Sequence, residues 1–192
     1  MPDTTPILRC LTVDAHWAWA IAQGIKRVEN RTRGIKTSAG QPIAHETYQR
    51  GHWALDVPFF LAIHAGLRLD MAEAQRRRII PDNRGLATSL AEMEDGRGKI
   101  LAVVQVPTWF DQRQLRPAVI DTVRVNFHGF LDDSGRWPIG LLLDEVSILP
   151  CPVACKGKQG LWTLRPEDAA AVVGQLPEGH VLLPQRPKEQ GR

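Results

Sequence analysis

The sequence predicts an α+β fold: a mixed, mainly antiparallel β-barrel with peripheral helices. Three observations point there. Strand-like segments outnumber helical ones, and long irregular stretches separate them. No regular β-α-β rhythm runs along the chain, which argues against a doubly wound parallel sheet. At 192 residues the chain is long enough to bury one core, and no internal repeat divides it. A single domain over residues 1–183 is expected, followed by a Pro-, Lys-, Arg- and Gln-rich disordered tail over 184–192.

Ile7 to Val13 is a short apolar run and reads as a strand. Asp14 then caps a helix through Gln23, with Gly24 as its stop signal. Lys26 to Arg33 alternates, placing Val28 on one face and Glu29 and Arg31 on the other. Residues 34–51 are polar without a period and read as a loop. Phe59 to Ala65 (FFLAIHA) is a buried strand. Asp70 to Arg78 is helical and ends before Pro81. Thr88 or Ser89 caps a further helix, with Glu92 completing a capping box behind Ser89. Lys99 to Val106 (KILAVVQV) is the clearest central strand: β-branched, free of proline and preceded by Gly98. Trp109 to Trp137 is mixed and loop-like; Ile139 to Leu149 and Gly160 to Leu164 read as strands. Pro166 opens a last helix through Gly174, with Glu167 and Asp168 in its first turn.

Composition narrows the function classes. The formal charge is +3 and the sequence pI about 9.0, which permits nucleic-acid binding without demanding it. No apolar run approaches the roughly 20 residues of a membrane span. The N-terminal residues lack the layout of a signal peptide, so a cytoplasmic protein without a membrane partner is expected. The odd set Cys10, Cys151 and Cys155 suits free thiols in a reducing compartment. Cys151 and Cys155 form a lone C-x-x-x-C pair with no second pair to complete a zinc site, so neither a metal centre nor a cofactor is expected.

Four segments, in order, resemble the ASCH domain family. Gly24-Ile25-Lys26-Arg27-Val28-Glu29-Asn30-Arg31, after the helix bearing Trp17, matches a G-x-K-x-x-E-x-R signature. Leu61 to Gly66 resembles an apolar strand ending in IHAG. Gly98 to Val104 resembles a central GxxxGxV-type strand, with Ala102 at the second glycine. The stretch from Gly140 to Leu164 carries Leu149-Pro150, Pro152-Val153, Lys156-Gly157 and Gly160-Leu161-Trp162. The resemblance spans roughly residues 7 to 164. It implies a PUA-like barrel and a protein that binds RNA or DNA, RNA being favoured. A minority of family members are hydrolases, either amidohydrolases of an acylated cytidine or ribonucleases.

Lys26, Glu29 and Arg31 are the leading site residues. One surface there offers a point charge, an acceptor and a planar donor fork. The set suits a phosphate and a base edge, with Glu29 accepting from an exocyclic amine. The plainer reading is a surface ion-pair network of little energetic weight. Arg33 extends the cationic edge. Of the tryptophans, Trp17, Trp53, Trp137 and Trp162 are candidates for base stacking or for core packing. Trp17 is the better cleft candidate and Trp162 the better core residue; of Trp17 and Trp19, one should point outward. Lys156-Gly157-Lys158 is a basic turn able to hold a phosphate, without the preceding stretch of a P-loop. Arg76, Arg77 and Arg78, with Arg68 and Arg84, read as a backbone-tracking patch or as a solvated helix face. If the protein is an enzyme, Lys26, Glu29 and His64 are the catalytic candidates, and a divalent metal is called for only by the nuclease alternative. The amidohydrolase members carry K-x-x-T-x-R with threonine as nucleophile; here Glu29 holds that position and Thr32 lies on the other strand face, so that mechanism does not carry over. A protein-interaction module is the remaining alternative.

Overall fold

The computed structural model describes residues 8–31, 59–81, 85–107, 109–111 and 139–177. The elements in chain order are β1 (Arg9–Val13), α1 (Ala15–Ala22), β2 (Val28–Arg31), β3 (Phe59–Ala65), α2 (Met71–Arg76), α3 (Leu86–Gly96), β4 (Lys99–Val106), β5 (Trp109–Asp111), β6 (Ile139–Leu142), β7 (Asp144–Ala154), β8 (Leu161–Thr163) and α4 (Pro166–Val173). They form a mixed α+β fold. A five-stranded sheet has the order β7-β4-β3-β1-β8, and a three-stranded sheet the order β2-β6-β5. All described pairings are antiparallel except β1 with β3. That parallel pair makes the sheet mixed, as expected, and the chain passes through both α1 and β2 between its two strands.

The five-stranded sheet is covered on both faces, which explains why every residue of β3 is buried. Leu61 and Ile63, with Leu11 of β1, face Ala18 and Ile21 of α1. Phe60 and Ala62 face Trp162 and the Ala169 and Val172 side of α4. Trp19, Ala74, Ile79 and Met93 form a third cluster among the helices.

The expected barrel does not close among the described strands. β4 leads into β5 across a two-residue step, and β6 into β7 across Leu143. β4 pairs with β7 and β5 with β6, so one bent antiparallel ribbon belongs to both sheets. The corner is held by Arg27. Its carbonyl accepts from Leu143 N at 2.8 Å, its Nε donates to Leu143 O at 2.7 Å, and its Nη2 donates to Asp144.

Several element boundaries differ from expectation; β5 opens the stretch read as loop-like, and α2 ends at Arg76. α3 begins one turn early, after Gly85, so Thr88 and Ser89 lie inside the helix and Ser89 is buried. Glu92 is not a capping-box partner: its Oε2 accepts from Trp19 Nε1 at 2.8 Å, because a buried indole N–H needs an acceptor. The apolar segment from Ile139 is two strands, and the second runs on through Pro150 and Pro152. Prolines are tolerated there because β7 is an edge strand whose register against β4 shifts between Val153 and Ile148. By contrast, Asp70 caps α2 as a helix-starting aspartate should, its Oδ1 accepting from Glu73 N at 2.8 Å. Asp14 stands at the N-cap of α1 without a side-chain cap bond. The tail over 184–192, the loop over 34–51 and residues 112–137 of the second loop lie outside the described residues.

Candidate functional site

α1 ends where Gly24 adopts a φ of +69°, a conformation that glycine reaches without a Cβ penalty. The chain turns sharply: the amides of Ile25 and Lys26 both donate to Ala20 O, at 2.8 and 3.0 Å. This turn sends the Lys26 side chain inward, back under α1, and Lys26 is only 3% exposed. Its Nζ donates to Val28 O and, at 2.7 Å, to Glu29 Oε2. The ammonium also stands 5.5 Å from the centre of the Trp17 ring, a cation–π distance. On the far side of the carboxylate, Glu29 Oε1 lies 3.5 Å from Arg31 Nη1. Burial pushes the Lys26 ammonium below the ordinary lysine range, and the adjacent Glu29 carboxylate opposes that shift.

Trp17, Lys26, Glu29 and Arg31 are therefore brought together, as the spacing predicts. Glu29 and Arg31 leave one face of β2, whose backbone is set by pairing Glu29 with Leu141 and Arg31 with Ile139. What differs is the depth. The network is not a surface one: Glu29 is buried, Arg31 half-buried, and Lys26 is held internally rather than standing out as a point charge. Trp17 is the half-buried member of its helix pair and Trp19 the buried one. Arg33, Trp53, Trp137 and Arg84 lie outside the described residues.

His64, Lys156 and Lys158 gather elsewhere. His64 lies on the Trp162 face of the five-stranded sheet, 2% exposed, beside Thr12 in the parallel register. Its Nε2 faces Cys155 O at 3.1 Å, so Nε2 is the donor and Nδ1 keeps its lone pair. As a general base it has no open approach, since the turn after β7 lies across it. Trp162 is buried core, as expected, and its Nε1 donates to Thr12 Oγ1 at 3.2 Å. Arg68 does not contribute to a free basic patch: it pairs with Asp14 at 3.3 Å and Asp70 at 3.2 Å.

Two contributors escaped the sequence reading. Arg27 is one; the residue between Lys26 and Val28 carries no signal that its partner is a strand corner far along the chain. His16 is the other. It is fully buried, accepts from Asp70 N at its Nδ1 (3.3 Å), and places Nε2 3.4 Å from Glu73 Oε2. Its ring centre lies 5.1 Å from that of Trp17. Its position directly before Trp17 is the only sequence clue.

These buried imidazoles predict an acid-sensitive fold. Burial, the largest cause for each, lowers both the His16 and the His64 pKa below the ordinary 6.5. The unfolded chain thus takes up protons that the folded chain refuses. Stability is full above about pH 6.5 and falls as pH drops toward the folded values, by up to about 1.4 kcal/mol per pH unit for each histidine. Urea midpoints measured between pH 7.5 and 5 should show this decline, and replacing His16 or His64 with glutamine should flatten it.

Fold and site together define a mixed α+β domain with a buried Lys–Glu–Arg network at the edge of its smaller sheet. No family model matches the chain, and no curated protein matches it. Among solved structures it is similar to ASCH from Zymomonas mobilis, with 13% identity and a TM-score of 0.45 over 88% of this chain and 95% of that one. A mutant form of that protein gives 14% identity and a TM-score of 0.44 over 92% and 100% of the two chains. Among the described residues no helix is long and apolar enough to cross a membrane.

Proposed function

We propose that the protein binds unpaired nucleic acid, RNA in preference to DNA, where the half-buried Trp17 and Arg31 flank the buried Glu29. The observation that carries this reading is the orientation of Glu29. Its carboxylate is gripped by the buried Lys26 ammonium on one oxygen and approached by Arg31 on the other. An acceptor fixed in advance costs little further ordering when a base edge with an exocyclic amine arrives. Arg31 supplies a fork for a phosphate or a purine edge, and the half-buried Trp17 an aromatic edge for an unpaired base. Lys26 is a positioning residue in this scheme. The ASCH resemblance of the sequence points to the same ligand class.

A second reading, a hydrolase of RNA or of a modified nucleoside, is favoured by one observation. Lys26 is a buried amine with a lowered pKa in contact with a carboxylate, the kind of pair that proton-transfer sites use. One experiment separates the two. Labelled single-stranded RNA and DNA are incubated with the protein, with and without Mg²⁺ or Mn²⁺, and binding and cleavage are read on the same samples. The expected result is a salt-sensitive complex with intact RNA, weakened roughly ten- to hundredfold by Arg31→Gln at an unchanged unfolding midpoint. Cleavage that Glu29→Gln abolishes while circular dichroism shows the variant still folded would establish the hydrolase instead. Neither binding nor cleavage would remove both.

A further inference from the structure

Most cations on the described surface have a carboxylate beside them. Arg27 meets Asp144, Arg97 meets Glu94, Lys99 meets Asp95, and Arg165 meets Glu167 and Asp168. Among the described residues Lys156 and Lys158 do not, and neither do Arg77 and Arg78, but only the two lysines share one seated turn. Both are exposed, and neither has a carboxylate partner among the described residues. The chain from Val146 to Pro166 contains no acid at all.

The turn that carries them is nonetheless firmly seated. Cys155 N donates to Gly98 O at 3.1 Å, and Cys155 O receives the His64 Nε2–H. Gly157 lies directly on the imidazole. A Cβ at this position would fall 2.5 Å from His64 Cε1, 2.8 Å from Nδ1 and 3.0 Å from Thr12 Oγ1. No side chain fits there unless His64 or the turn moves. Lys158 Nζ stands 5.6 Å from the centre of the Trp162 ring, which itself meets His64 edge-on at 6.1 Å. His64 Nδ1 is buried without a hydrogen-bond partner, a costly state for a polar atom. The imidazole forms the floor of the turn.

We infer that Lys156 and Lys158 form a second contact, for backbone phosphodiesters, and that His64 is the positioning residue beneath it. The inference rests on the nucleic-acid reading above. This contact is built on the Trp162 face of the five-stranded sheet, whereas Trp17 packs with the clusters of the α1 face. Ammonium groups are point charges that neutralise phosphate whatever the base, so the turn adds affinity and register while Glu29 and Arg31 discriminate.

The test is a salt titration of binding to a labelled single-stranded RNA that lacks terminal phosphates. For the native protein, log affinity falls linearly with log salt. Lys156→Gln/Lys158→Gln is expected to make the slope shallower by about 1.4, or about 0.7 for each of two phosphates. The Lys156→Arg/Lys158→Arg pair should restore it. Gly157→Ala keeps both charges but displaces the turn, and should weaken binding and flatten the slope while circular dichroism stays native. An unchanged slope in the glutamine pair, with native binding intact, overturns the phosphate contact alone. Full affinity and slope in Gly157→Ala overturn the positioning role of His64. A native protein that binds no RNA overturns the proposed function and this inference with it.

Discussion

Glu29→Ala should destabilise the protein by about 3–5 kcal/mol, because it leaves the Lys26 ammonium buried without its counter-charge. The cost comes from stranding a charge rather than from losing a contact. The paired replacement Lys26→Met/Glu29→Leu is therefore expected to recover most of the loss, since apolar groups of similar volume need no solvation. Urea unfolding of Lys26→Met, of Glu29→Leu and of the double variant gives the coupling directly. Surface pairs set the scale: removing the exposed partner of Arg97 or of Lys99 should cost no more than about 1 kcal/mol. A Glu29→Ala loss of that small size would show the network to be solvated.

The second large effect is Trp19→Ala, expected to cost about 3–5 kcal/mol. Trp19 is 2% exposed and packs where α1 meets α2 and α3, beside Ala74, Ile79 and Met93. Its removal opens a cavity among three helices and takes the indole N–H from Glu92. Trp19→Phe keeps most of the volume and should cost clearly less. Thermal or urea unfolding measures both. Near-equal losses would mean that the hydrogen bond, not the volume, holds the helices together.

Much of the fold was legible because the signals were local. β3 and β4 were read at their observed bounds, since a run such as FFLAIHA or KILAVVQV is apolar on both faces wherever it sits. The juxtaposition of Glu29 and Arg31 was legible too, since they stand two apart on one short strand, whereas Lys26 lies in the turn before it. The depth of the site was not. Whether Lys26 points outward or inward depends on the turn at Gly24 and on what covers it, and Trp17 covers it from the helix before. Nor was the bend that joins the two described sheets visible, because strand segments say nothing of which ribbon turns between them. α3 was misplaced for a related reason. Ser89 and Glu92 make a convincing local pair, but tertiary contacts claim both, Ser89 for burial and Glu92 for Trp19.

The clamp of Arg27 on Leu143 also bears on when the site comes into being. The two residues are 116 positions apart, and β2 finds its described pairing partner in β6. A ribosome that has released α1 and β2 has released the site's residues but not the surface that aligns them. Until the residues of β6 emerge, Lys26 has no dry interior to enter and Glu29 no fixed direction. Contacts of such long separation close late, after shorter loops have settled. The nascent chain thus adds β7 to its main sheet at about the moment it completes its site, with β8 still to follow. A chain truncated before residue 139 would lack the strand that pairs with β2 and present no organised Lys–Glu–Arg network.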